Sequence, residues 1–190
     1  MNNRKKQITD LALKLIEEKG YVAISYDDLA KQLGVTKASI HYHFEKKEDL
    51  GVAVADRIKQ RLESILLTVN DPSVTVEEKI SFFANRQIKQ FADGICPVSS
   101  LQTDFESLPE SLQKRVQDLS RFEISIMKQI VSNIVEHEEE SNVDEESLAL
   151  MILSSIKGAI QYQRVMGIDL LPKVLEQINR TLKNNEQRVL

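Results

Sequence analysis

Apolar residues recur along this chain at spacings of three and four, the signature of helices with one buried face. Ile8, Leu11, Ala12, Leu15 and Ile16 form the first such stripe, and "EKG" predicts its end at Gly20. Ser25 with Asp28 three residues later predicts a capping box, then a short second helix with Leu29, Ala30 and Leu33 on one side, stopped by Gly34. Thr36 is expected to cap a third helix that runs to about Phe44 and holds Ile40 as its one strong internal apolar residue. From Lys47 the spacing of Leu50, Val54, Ile58, Leu62 and Ile65 predicts one long helix to about Val69, where "NDPS" breaks it. Thr75 and Glu78 open another, through Ile80, Phe83, Ile88 and Phe91 to near Gly94. One short helix is expected between Pro97 and Pro109, and Ser111 to about His137 keeps a 3.6-residue period through Leu112, Val116, Leu119, Ile126, Ile130 and Ile134. Asp144 caps the apolar-dense "LALMILSSIKGAIQYQRVMG", and Leu170 to Leu182 gives a last amphipathic helix.

The fold class expected is therefore all-α. Composition agrees: of 190 residues 42% are hydrophobic, 5% aromatic and 28% charged, with few glycines and prolines, a mixture that favours long helices over a turn-rich β protein. The start "MNNRKKQITDLALK" runs into an amphipathic segment rather than the apolar run and cleavage site of a secretory signal. No stretch approaches the length of a membrane span, and the lone Cys96 cannot form an intrachain disulfide. A cytoplasmic protein without membrane contact is expected.

Net charge is −4, which by itself speaks against a polyanion partner, but the charge is segregated. Residues 1–61 hold 12 Lys and Arg against 9 Asp and Glu, a balance of +3, and the remaining 129 hold 13 against 20, a balance of −7. That pattern suits an N-terminal part that meets a polyanion and a C-terminal part that is repelled by it.

"GVTKASIHYHFEKKEDL" carries the chemistry. The second helix, the Gly34 turn and the third helix have the lengths of a helix-turn-helix, which seats its second helix in a DNA major groove. With Ile40 inward, a step of about 100° per residue puts Ala38 and Tyr42 on the outer side, flanked by Ser39 and His41. Ala38 is small enough to touch a thymine methyl, while Lys37 and Ser39 can donate to base edges or phosphate. His41, Tyr42 and His43 are compact donors suited to phosphate oxygens. Lys46 and Lys47 begin the next helix, where free N–H groups and the helix dipole favour an anion. A core does not easily take three polar rings in succession; a groove walled by phosphate does. The plainer reading has the same residues capping and solvating a small surface helix, with His43 half-buried, as in helix-turn-helix proteins that never touch DNA.

"SYDDLAKQLGVTKASIHYHFEKKEDL" resembles the N-terminal DNA-binding domain of the TetR family of bacterial transcriptional repressors (AcrR-like), whose pattern runs from a Thr or Ser through an Ala and a Gly-Val turn to a Tyr-rich helix, Phe and Lys-Glu-x-Leu. The likeness covers about Arg4 to Arg61; beyond it only the layout is similar. It implies a three-helix helix-turn-helix domain over 1–61 and a helical ligand-binding and dimerisation domain over 62–190. Thr36, Lys37, Ala38, Ser39, His41, Tyr42 and His43 fall at the family's DNA-contacting positions and Lys47 at its phosphate-binding lysine. Two positions depart from the pattern: His41 stands where tyrosine is commoner, and Tyr26 where a smaller hydroxyl residue or Val is usual. "ASIHYHF" is close to the "ASIHHHF" of one subset, which implies no single ligand. The implied partners are a palindromic double-stranded DNA operator, a second copy joined through the last two helices, and a small-molecule inducer that releases the repressor. A DNA-bound structural or division-control protein without a metabolite ligand is the alternative.

Small residues Ser154, Ser155, Gly158 and Ala159 let another helix approach, and a helix apolar on most of its circumference must be covered on several sides, which a partner subunit can do. Phe82, Phe83, Phe91, Phe105, Phe122, Met127, Tyr162 and Met166 are candidate lining for an inducer cavity, against the plainer reading of ordinary core. Cys96 is either a redox-sensing thiol or, flanked by Ile95 and Pro97, a small buried hydrophobe. His41, His43 and His137 have no metal-ligand spacing, and "EHEEES" reads as a solvated helix end. No Ser-His-Asp or Cys-His arrangement and no glycine-rich phosphate loop is present, so neither an enzyme nor a cofactor is expected.

Overall fold

The computed structural model describes residues 3–88, 95–135 and 144–186. Among them the regular structure is helical: α1 (Asn3–Lys19), α2 (Tyr26–Leu33), α3 (Lys37–His43), α4 (Lys47–Glu63), α5 (Leu66–Val69), α6 (Val76–Ile88), α7 (Pro97–Thr103), a 3₁₀ turn (Phe105–Ser107), α8 (Glu110–Val135), α9 (Glu145–Met166) and α10 (Leu171–Glu186). No helix among the described residues is long and apolar enough to cross a membrane. The chain divides into two compact units, one of residues 1–62 with 91–120, the other of 63–90 with 121–190.

In the first unit, α1 lays Ile8, Ala12, Leu15 and Ile16 inward, as its periodicity requires, and packs on α2 and α7. Gly20 ends it with φ 85°, a left-handed conformation that costs glycine nothing. Residues far along the chain close this core. Val98, Leu101 and Leu112 are buried, and the Ser100 hydroxyl donates to the Ile16 carbonyl at 2.6 Å, tying α7 to the end of α1 through a carbonyl that also accepts from the Gly20 N–H at 2.9 Å. The Ile95 N–H donates to the Glu17 carbonyl at 3.3 Å in the same way. Gly51 sits where α4 meets two neighbours: a Cβ there would lie 2.7 Å from a Leu112 methyl and 2.8 Å from the Tyr21 ring. Ser111 donates to Glu48, and Arg115 pairs with Asp56 at 3.6 Å, both between α8 and α4.

The long helix expected from Lys47 to Val69 is interrupted. A turn at Ser64 and Ile65 breaks the ladder between α4 and α5, and the amides of Thr68 and Val69 both return to the Ile65 carbonyl. Leu62, Ile65 and Val69 stay buried across the break, so hydrophobic spacing reads straight through it.

The second unit is built on α6, α8, α9 and α10, with α10 packed on α9 and α6. Asp144 caps α9 by accepting from the Ser147 N–H at 2.8 Å, and Gly167 closes it with φ 67°. Ala149, Ile152, Ile156 and Ala159 bury one side of α9, while Met151, Tyr162, Val165 and Met166 stay exposed on another. Within this core Lys157 holds the wholly buried Glu123 carboxylate at 2.6 Å. The expected extension of α6 to Phe91 and Gly94, and the end of α8 at His137 with its acidic run, lie outside the described residues.

Candidate nucleic-acid interface

The candidate surface is fixed by its caps. Ser25 accepts from the Asp28 N–H at 3.2 Å while the Asp28 carboxylate accepts from the Ser25 N–H at 3.0 Å, so both open donors at the start of α2 are satisfied reciprocally. Lys19 adds a 2.9 Å ion pair to Asp28, whose carboxyl the hydrogen bonds from Lys19 and Ser25 hold below the usual carboxylate range. Gly34 ends α2 at φ 63°, and a Cβ there would meet nothing within 4 Å, so the dihedral rather than crowding calls for glycine. Thr36 then caps α3 by accepting from the Ser39 N–H at 3.2 Å.

Ile40, 0% exposed, and Phe44, 2% exposed, pin α3 to the core. The turn of the helix leaves Thr36, Lys37, Ala38, His41 and Tyr42 exposed, Tyr42 at 85%, with Ser39 and His43 half-buried. A tyrosine this exposed gives almost all its surface to water, so nothing in the unit's own packing accounts for it. Tyr26 supplies a tie that the spacing of apolar residues does not reveal: its hydroxyl donates to the Phe44 carbonyl at 2.9 Å, joining the start of α2 to the end of α3. Burial, then Asp49 and Tyr21, pushes that phenol up to about 12, so it remains a donor at neutral pH. The edge of the Tyr26–His41 ring pair, 4.6 Å between centroids, sets the imidazole, whose Nδ1 lies 3.3 Å from the Glu45 carbonyl. A proton on Nδ1 satisfies that carbonyl.

Two basic groups, Lys37 and Lys47, are held by their ammonium ends. Lys37 pairs with Asp27 at 2.8 Å on the surface. Lys46 is exposed, its N–H bonded to Asp49 at 3.0 Å. Lys47 reaches back over the Tyr21 ring, 4.6 Å from its centroid, and donates to the Val22 carbonyl at 3.0 Å. Burial lowers its pKa, with Asp104 opposing. An open groove of about 620 Å³ borders the end of α3, lined by Lys5, His41, Tyr42 and His43 together with Glu45, Asp49 and Asp56. Its carboxylates limit where a phosphate strand can lie, and Lys5 offers one cation among them.

The other sequence candidates fall in both units. Phe83 and Met127 are buried and Phe82 and Phe122 half-buried in the second unit, Tyr162 (65%) and Met166 (54%) are exposed there, and Phe105 belongs to the first unit. Phe91 lies outside the described residues. Cys96, 1% exposed, precedes α7 as a buried small hydrophobe. No group of His, Cys, Asp or Glu among the described residues could hold a metal.

Comparison with known proteins gives the surface a context. The family described as bacterial regulatory proteins, tetR family, matches residues 8–54. The chain is 26% identical over 113 residues to the Staphylococcus epidermidis protein IcaR, the HTH-type negative transcriptional regulator of the biofilm operon icaADBC, covering 60% of this chain and 59% of that one. To the Staphylococcus aureus IcaR it is 44% identical over 46 residues, 24% of this chain and 25% of that one. The chain thus spans less than two thirds of the curated relatives it matches. A TetR transcriptional regulator from Legionella pneumophila, solved by crystallography, aligns with a TM-score of 0.80 at 32% identity, covering 95% of this chain and 98% of that one.

Proposed function

The chain belongs to the TetR family of bacterial regulatory proteins, and from that premise we propose that it is a transcriptional repressor that binds a palindromic DNA operator as a homodimer and is released by a small molecule. The observation that carries the reading is the outer face of α3, where Ala38 and an 85% exposed Tyr42 stand opposite a fully buried Ile40. In this reading Ala38, Lys37 and Ser39 meet base edges. Thr36, His41, Tyr42, His43, Lys46 and Lys47 position the backbone, one α3 entering each half-site. The α3 stretch "ASIHYHF" is placed with the subset that carries "ASIHHHF".

Dimerisation is assigned to α9 and α10. The support is the unpartnered apolar side of α9: Met151, Tyr162, Val165 and Met166 are exposed, and a Cβ on Gly158 would meet nothing within 4 Å, so its own chain does not require the small residue. Repression, the activity named for IcaR, is proposed here by likeness. Release follows when an inducer within residues 62–190 prefers a dimer geometry whose two recognition helices no longer match successive major grooves.

The test is site selection from a random DNA library with the purified protein, followed by titration of the recovered duplex against salt. Lys47→Ala with Tyr42→Ala is expected to weaken binding at every sequence and to reduce the slope of log affinity against log salt by about 0.9 for each phosphate that is no longer neutralised. Unchanged affinity and slope sink the assignment.

A further inference from the structure

Lys47 is anchored through a residue that is itself held from outside the helix-turn-helix. Its ammonium donates to the Val22 carbonyl at 3.0 Å, and the Val22 N–H donates to the Asp104 carboxylate at 3.2 Å. Val22 is 56% exposed and lies in the turn between α1 and α2, where side-chain packing does little to fix it. Asp104 is far better fixed. It closes α7 and opens the 3₁₀ turn, its N–H reaching the Ser100 carbonyl at 3.4 Å and its carbonyl taking the Ser107 N–H at 2.8 Å. The turn lies close against it: a Cβ on Gly20 would lie 2.9 Å from the Asp104 carboxylate and push it aside, while the φ of 85° calls for glycine in its own right.

We propose that Asp104 is a positioning residue for the phosphate contact of Lys47. It holds the Val22 N–H, fixes the Val22 carbonyl that takes one ammonium proton, and leaves the other two N–H groups of Lys47 aimed at a DNA phosphate. The assignment rests on the DNA-binding reading above. It extends the interface to α7, beyond residues 1–61. The carboxylate also repels an incoming phosphate, so its hydrogen bond and its charge act in opposite directions. Asparagine separates them, since it keeps the acceptor oxygen and drops the charge.

The experiment measures the affinity of the full chain for the selected duplex from about 50 to 200 mM salt. Asp104→Asn is expected to bind as tightly as wild type or tighter, with the wild-type slope. Asp104→Ala is expected to bind roughly tenfold more weakly, with a slope smaller by about 0.9, and to add no further loss on top of Lys47→Ala. Should the alanine variant not fold, Asp104→Glu, which keeps the charge and moves the acceptor by one methylene, is expected to show the same loss of slope. An unchanged slope, or losses from Asp104→Ala and Lys47→Ala that simply add, overturns the assignment of Asp104 alone. Failure of the wild-type protein to bind any selected duplex overturns the DNA reading and the assignment with it.

Discussion

Glu17 offers a test of the packing of the first unit that needs no DNA. It is 1% exposed on α1, and neither carboxylate oxygen has a hydrogen-bond partner; Arg61 approaches only to 3.7 Å. Burial outweighs the pull of Arg61 and pushes the carboxyl up from 4.5 to about 9. At neutral pH the folded protein therefore carries Glu17 protonated, and the unfolded chain carries it ionised. Unfolding releases one proton over that interval. Stability from this group is complete below pH 4.5 and is lost as pH rises toward 9, by about 1.4 kcal/mol per unit. Between pH 5 and 7 the loss is about 2.7 kcal/mol. Glu17→Gln keeps the shape and cannot ionise. It is expected to lie near wild type at pH 5 and to gain on it by that amount at pH 7. Urea unfolding at pH 5, 6, 7 and 8, at one protein concentration because a dimer's stability depends on it, reads the difference. Other titrating groups cancel between the two proteins, and a strained amide adds only a constant offset. Parallel stability curves refute the reasoning.

Two further substitutions probe the cores. In Gly51→Ala the new methyl falls within 2.8 Å of Tyr21 and of Leu112, both buried and unable to yield, so overpacking of roughly 1–3 kcal/mol exceeds the gain of about 1 kcal/mol in helix propensity. Thermal unfolding is expected at a lower temperature, and a rise contradicts the close approach of α4 and α8. Lys157→Met removes the ammonium 2.6 Å from the fully buried Glu123 and is expected to cost about 3 kcal/mol in denaturant, most of it recovered in Glu123→Gln/Lys157→Met. Equal losses in the single and double variants argue that the side chains, not the charge, matter there.

What the sequence made legible was local. The Ser25–Asp28 box, the Thr36 and Asp144 caps, and the Gly20 and Gly34 stops act within four residues, and the structure has each of them. The outward placement of Ala38 and Tyr42 followed from Ile40 alone by helix geometry. The break at Ser64 and Ile65 was hidden because burial keeps its period across it. Contacts between distant segments were out of reach. Nothing near "EEKG" marks Glu17 as the buried one of its pair, and nothing near "TDFE" ties Asp104 to Val22, 82 residues away. Tyr26 was visible only as an unusual residue; its bond to the Phe44 carbonyl was not. Aromatic residues do not announce which side of a helix faces water, so Tyr162 and Phe83 looked alike and are 65% and 0% exposed.

The return of residues 91–120 into the first unit bears on how the protein is made. A ribosome delivers α1 to α4 early, but Val98, Leu101 and Leu112, which seal them, arrive dozens of residues later. The nascent head must wait with an open apolar seam while the intervening helices are synthesised, and its closure is a long-range event slower than the formation of its own helices. Truncation after α4 is expected to leave that seam in water, so that the segment resembling a self-sufficient DNA-binding module would need a stretch of chain translated well after it to stay in solution, which a solubility comparison of the truncated and full chains checks.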